Sequence, residues 1–270
     1  MLTNLVTPWW ELQEELRAKR LKTSASMTLS SLANLSISGL AREHTYHIHQ
    51  KWIAACGTRP DFKRWRRLGG ADKRHLLHTV AAEADDDTSE EGSYLTAYFQ
   101  TDIDEVLARG IWSVEHVVPR SKVNGSVAGD AEDDPVGWIE ATRLANSARS
   151  NFPLMLWRDP DGQLAPSGTL VTIDSEKHFV PPLEQRARLA RKWMFVRATY
   201  PGEVAPPSEA QRARAADIVS LAKHWPVGPA EARVNEIHRR ERGWANPLLE
   251  KSAERWLDDV HWRALVFGLV

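Results

Sequence analysis

Ile111-Trp112-Ser113-Val114-Glu115-His116-Val117-Val118-Pro119-Arg120-Ser121 is the stretch whose reading decides the fold. Its apolar, β-branched run reads as a strand, and Pro119 ends it. Two chemically active side chains, Glu115 and His116, sit side by side in this run. Neighbours on a strand point to opposite faces, so both serve one pocket only at a bulge or a strand end. Burying both without a use is costly. The competing reading is a solvated edge strand with a surface Glu–His pair.

Outward from there, residues 137–151 predict a helix. Trp138, Ala141, Ala145 and Ala148 follow the i, i+3, i+7, i+10 spacing of a buried face, with Asn146 and Arg149 three apart on its flank. Asparagine is a poor helix-interior residue, and no turn signal accompanies it, so a side-chain role for Asn146 is expected. Its amide oxygen and the Glu115 carboxylate are hard donors of the kind Mg²⁺ takes in ones or twos. His116, beside that ion, is placed to take a proton from an attacking water.

Glu115-His116-Val117-Val118-Pro119 followed by Asn146-x-x-Arg149-Ser150-Asn151 resembles the core of the bacterial endonuclease I family, ββα-metal (His-Me finger, broadly HNH) nucleases. The resemblance continues through Phe179-x-Pro181-Pro182, Arg186, Ala190-Arg191, Tyr200, Trp225-Pro226-Val227, Arg233-x-x-x-Ile237 and Asn246-Pro247. It covers about 111–249, and the shared order of these short motifs gives it specificity. It implies Glu115 and Asn146 as ligands of Mg²⁺ or another divalent ion such as Mn²⁺, and His116 as general base. The substrate implied is DNA, double-stranded first, with RNA also open. Arg120, Lys122 and Arg143 are unranked candidates for the transition-state arginine or cation. Together with Arg149, Arg186, Arg191 and Arg233 they form the expected nucleic-acid-binding set.

Two features depart from the family. Its Asp-x-x-Asn-Leu element reads Asp134-Pro135-Val136-Gly137-Trp138 here, so Gly137 stands in place of the asparagine. Exported members are rich in disulfides, whereas this chain has one cysteine, Cys56. One cysteine excludes an internal disulfide and suits a reducing compartment. No signal-peptide pattern opens the sequence and no apolar run reaches membrane-span length, so a cytoplasmic protein with no membrane partner is expected. A nuclease there suggests a defence or toxin setting. The alternative from another class is a nucleic-acid-binding protein whose nuclease fold is degenerate and non-catalytic. A third is a zinc protein built on His44, His47, His49 and Cys56, set against a plain half-exposed histidine face.

The net charge of −1 hides an acidic run at 83–91 and basic stretches at 186–214 and 233–242, so local patches rather than the sum would meet phosphates. Most of the twelve tryptophans, falling at helical spacing beside apolar residues, are expected in the core. Residues 61–67, Asp-Phe-Lys-Arg-Trp-Arg-Arg, read either as a phosphate-gripping cluster or as a solvated helix face. Helices are expected at 8–22, in one or two pieces over 27–55, and at 72–84, 94–109, 183–200, 208–224, 230–242 and 252–265. Short strands are expected at 152–157 and 169–173, and a surface loop at 122–134. The fold expected is α+β, mostly helical, with a ββα core at 93–270. An N-terminal helical region, 1–92, is expected to bind a protein partner or DNA, or to restrain the nuclease.

Overall fold

The computed structural model describes residues 30–62, 72, 73, 76, 109, 111–123, 130–158 and 166–269. The expected helix at 8–22, most of the 61–67 cluster, His75, His78, the acidic run, the 92/93 boundary and nearly all of 94–109 lie outside them. The chain divides into two compact units, 48–269 and 1–47 with Val270. Of the second, the described part, 30–47, is helical. No helix of the described residues is long and apolar enough to cross a membrane.

The fold is α+β and mostly helical, as the sequence predicts. Helix α1 spans Ser30–Cys56, and its last turns belong to the larger unit. Strand β1 (Trp112–His116) pairs antiparallel with β2 (Trp138–Thr142), in a register that runs from Trp112 opposite Thr142 to His116 opposite Trp138. Between them lies the one-turn helix α2 (Asp130–Asp133). Directly after β2 comes α3 (Arg143–Arg149), capped by the Thr142 hydroxyl, which accepts from the Ala145 N–H.

Here the helix expected over 137–151 is corrected. Its first third is a 3₁₀ turn (Pro135–Gly137) followed by a strand. Every residue of β2 is buried, so no polar-apolar alternation marks it, and the apolar spacing mimics a helix face. The expected surface loop at 122–134 is corrected too. It ends in Asp133 and Asp134, buried to 1% and 0% exposure. Asp134 accepts from Tyr200 Oη, Trp244 Nε1 and the Val136 N–H, which satisfies a carboxylate taken out of water.

A second hairpin, β3 (Leu170–Ile173) and β4 (Glu176–Phe179), turns at Asp174 and Ser175, both at positive φ. Residues 152–157 make only an isolated bridge, Leu154 to Phe179, instead of the strand expected there.

Helix α4 (Leu183–Thr199) runs through the middle of the unit and is buried from Arg186 to Thr199. Five of its buried residues are cations, and each holds protein groups. Arg188 pairs with Glu140 at 2.6 Å, and Arg191 takes both oxygens of Glu231. Lys192 donates to the Val136 and Trp138 carbonyls, Arg186 to those of Trp157 and Pro181, and Arg197 to those of Val266 and Ala205. Much of the basic stretch that read as a phosphate-facing patch is therefore interior clamping.

Ser208 starts α5 (Glu209–Ala213) with a full capping box, and Arg214 separates it from α6 (Ala215–His224). Helices α7 (Pro229–Arg242), α8 (Glu254–Leu257) and α9 (Val260–Phe267) complete the unit. Trp52, Trp138, Trp157, Trp244 and Trp262 are fully buried, as expected of core tryptophans. Trp52 meets Trp256 edge-on at 5.1 Å and donates to Thr199 Oγ1, which ties the end of α1 to α4 and α8.

Candidate functional site

β1, β2 and α3 form a hairpin-and-helix finger. Its strands pair without a bulge, so the side chains of β1 leave by alternate faces. Ser113 and Glu115 share the face that α3 covers. Asn146 donates through Nδ2 to Ser113 Oγ at 2.9 Å and to the Val114 carbonyl at 3.1 Å. Three residues on, Arg149 pairs with Glu115 Oε1 and also donates to the carbonyls of His116, Val117 and Phe152. That guanidinium is 1% exposed and ties the end of β1 to the chain leaving α3. Burial pushes the Glu115 carboxyl up to about 7, although Arg149 pulls the other way.

His116, the last residue of β1, leaves by the opposite face and packs edge-on against Trp138. Its Nε2 lies 3.1 Å from the Glu132 carbonyl, which also accepts from Trp138 Nε1 at 2.9 Å. A carbonyl accepts, so Nε2 carries the hydrogen and Nδ1 carries the lone pair. Burial, with the positive charges of Lys73, Arg120 and Arg149, pushes this imidazole down to about 3. It is therefore neutral at every ordinary pH. The His116 backbone N–H donates to the Glu115 carboxylate, and among the described residues no ion pair or side-chain hydrogen bond joins that carboxylate to the His116 ring. The hairpin has no bulge and the two side chains leave by opposite faces, so the convergence of Glu115 and His116 on one pocket is not formed.

The turn that supplies the Glu132 carbonyl is itself pinned by cations. Arg59 holds Asp130 at 2.8 Å, Lys73 holds Asp133 at 3.2 Å, and Arg120 pairs with Glu132. Glu203 accepts from the Ala131 N–H at the start of α2.

No protein-family model matches this chain, and no curated protein matches it as a relative.

For a divalent ion, the donors present on the finger are two oxygens. Asn146 spends its amino group on β1, which leaves Oδ1 without a hydrogen bond among the described residues. Glu115 is the charged donor, its Oε1 held by Arg149 and its carboxylate also met by the His116 backbone N–H. A hard cation that takes one or two protein oxygens and fills its shell with water and phosphate fits this donor set. Among the described residues no three His, Cys, Asp or Glu side chains gather as a metal cage, the zinc candidates included. Cys56 is fully buried, its thiol pushed up by burial, and His49 Nε2 lies 3.2 Å from the Thr199 carbonyl.

The expected nucleic-acid-binding residues divide. Arg120, Lys122 and Arg143 are exposed around the finger. Arg149, Arg186 and Arg191 are corrected: at 1%, 7% and 1% exposure, each bound to protein oxygens, they build the interior and do not present charge to a polyanion. Arg233 is half-buried and pairs with Glu236 at 2.8 Å. Sequence reasoning missed the carbonyl of Glu132, because a backbone acceptor has no side-chain signature. It also missed Arg149 as the counter-charge of Glu115. A carboxylate on an apolar strand needs a cation, and a helix directly following the hairpin is where to look for one.

Proposed function

We propose that this chain is a Mg²⁺-dependent endonuclease of the ββα-metal type, hydrolysing phosphodiester bonds in DNA with little sequence preference. The observation that carries the reading is the protonation pattern of His116. Nε2–H is fixed on the Glu132 carbonyl, and Nδ1 is left as an unprotonated base on a finger whose other face carries Glu115 and Asn146. An uncommitted imidazole nitrogen supplies the lone pair that accepting a proton from water requires, and the basicity that burial holds near 3 has to rise for it to act. Glu115 Oε2 and Asn146 Oδ1 would hold the ion. When bound, Mg²⁺ or Mn²⁺ supplies neutralisation of the scissile phosphate and of the departing oxygen. Arg120, Lys122 and Arg143, exposed cations of the finger, would position the strand, and such contacts carry no base readout. The setting we infer is defence or toxin action within the cell.

One observation favours a second reading, a nucleic-acid-binding protein without catalysis: Arg149 already neutralises the carboxylate that the metal needs. A plasmid-cleavage assay separates the two. The nuclease reading expects cleavage with Mg²⁺ or Mn²⁺, none with EDTA, and a loss of about 10²–10⁴-fold in His116→Ala with DNA binding retained. DNA binding without cleavage under any divalent ion, or cleavage indifferent to EDTA, overturns it.

A further inference from the structure

Arg197, like Lys192, is a buried cation of α4 held by carbonyls, and it lines an open cleft. It is 5% exposed, and its guanidinium is fixed on three sides. Nε donates to the Val266 carbonyl and Nη1 to the Ala205 carbonyl, both at 2.7 Å, and its carbon lies 5.1 Å from the centre of the Trp193 ring. No carboxylate pairs with it, and Nη2 has no protein acceptor among the described residues. Burial and the neighbouring charge of Arg212 push its pKa down to about 10, the direction expected for a cation lacking a counter-ion. A desolvated charge in this condition is costly unless something negative meets it.

The place to meet it is open. Arg197 lines a cleft of about 280 Å³, against which the Val117–Pro119 segment that leaves β1 also packs. Arg149 lines the same cleft, with its charge committed to Glu115. Lys122 is the third cation on the wall, exposed and with no ion pair among the described residues. Its own carbonyl accepts from the Ala205 N–H at 2.7 Å, so the two walls that carry Lys122 and Arg197 are stitched together. Two carboxylates, Glu176 and Glu209, also line the cleft. Glu209 is exposed and the Glu176 side chain is 41% exposed, so water screens both.

We propose that this cleft is an anion site for a phosphate group, with Arg197 as its buried anchor and Lys122 as its mobile second cation. A rigid guanidinium nitrogen on one wall and an ammonium on the other suit a tetrahedral anion, which accepts from several directions at once. The site does not depend on the nuclease reading. A phosphate there comes either from free phosphate or from the end or backbone of a nucleic-acid strand.

The test uses the full chain without divalent ions. Isothermal titration calorimetry and thermal unfolding are run against inorganic phosphate, with chloride at matched ionic strength as control. A parallel arm uses a short oligonucleotide with and without a 5′-phosphate. Phosphate should bind and raise the unfolding temperature beyond chloride. Lys122→Ala, a surface change that leaves the carbonyl clamps intact, should weaken binding about tenfold, the range of a charge-assisted hydrogen bond. Arg197→Gln should abolish it, and circular dichroism shows whether that variant folds. Equal binding of free and strand-borne phosphate assigns a free-anion site, and binding of the phosphorylated strand alone assigns a strand-end site. If inorganic phosphate gives no more than chloride and the 5′-phosphorylated strand binds no better than the unphosphorylated one, or if Lys122→Ala binds as well as the parent, the site does not exist.

Discussion

Arg149→Met is the perturbation that best isolates how the finger is held. Methionine keeps much of the stem volume and removes every donor. The structure then loses the acceptor contacts of the His116, Val117 and Phe152 carbonyls and the partner of Glu115. An unmet buried acceptor costs about 1–3 kcal/mol, and breaking a buried ion pair about 3–5 kcal/mol. The two overlap, because Glu115 escapes part of the loss by taking up a proton. With three acceptors and the pair, and with that overlap allowed for, roughly 6 kcal/mol or more follows, comparable with the whole stability of a small domain. The pH dependence identifies the cause. An unfolded glutamate titrates near 4.5, and burial raises the folded Glu115 carboxyl to about 7. A raised folded pKa means stability fully present below about 4.5 and lost as pH rises through about 7. Removing Arg149 takes away the influence that lowers this pKa, so the variant should lose more stability between pH 5 and 8 than the parent does. Adding Glu115→Gln should recover about 2 kcal/mol, because it removes the stranded charge. Urea unfolding followed by tryptophan fluorescence at pH 5 and pH 8 measures all of this. A single variant within about 1 kcal/mol of the parent, or a strictly additive double variant, would refute the reasoning.

Three further outcomes follow from the same geometry. With His116 pushed down to about 3, cleavage should show no histidine limb near 6.5; its acid limb should begin near 7 with Glu115 and move to lower pH as Mg²⁺ is raised. A limb at 6.5 that ignores the Mg²⁺ concentration in a pH–rate series would contradict this. Gly137→Asn, which restores the residue type of the endonuclease I pattern, should destabilise by about 1–3 kcal/mol, because a β-carbon there lies 2.8 Å from Val196 Cγ2. Val196→Ala should rescue it in thermal unfolding. Deleting residues 1–92 should abolish folding instead of releasing a more active nuclease: the deletion removes the fully buried Trp52 and Cys56 and the 1%-exposed Phe62. Trp52→Ala alone should cost about 3–5 kcal/mol in a denaturation curve.

What the sequence made legible is what local patterning encodes. Ile111 to Val118 announces a strand because its β-branched residues are bounded by Pro119, and β1 occupies Trp112–His116 within it. Ser208 with Gln211 announces a capped helix start, and both halves of the capping box form. Helix α4 was legible in extent and misleading in sense: its arginines read as a surface patch, yet their partners are carbonyls and carboxylates far along the chain. Glu231 is 40 residues from Arg191, and Val266 is 69 from Arg197. Strand β2 was illegible for the opposite reason. Burial on both faces erased the alternation that names a strand, and Trp138 with three alanines imitated a helix stripe.

The charge distribution also changes what contact with a polyanion is available. By sequence, seven basic residues were candidates to meet phosphate. Three of them, Arg149, Arg186 and Arg191, are committed to the interior, and Arg233 is half-committed to Glu236. Arg120, Lys122 and Arg143 are left at the finger, and Arg120 is itself shared with Glu132. That sharing couples two contacts. Glu132 holds His116 through its carbonyl and Arg120 through its carboxylate, so drawing Arg120 away removes one of the pins on the turn that orients His116. The remaining pins on that turn are Arg59 and Lys73 on Asp130 and Asp133, together with Glu203 on its first N–H. They come from parts of the chain far from the finger in sequence. The hairpin and helix therefore carry the candidate chemistry, while the orientation of His116 is set by segments that no finger motif contains. Grafting residues 111–151 elsewhere would transfer the former without the latter.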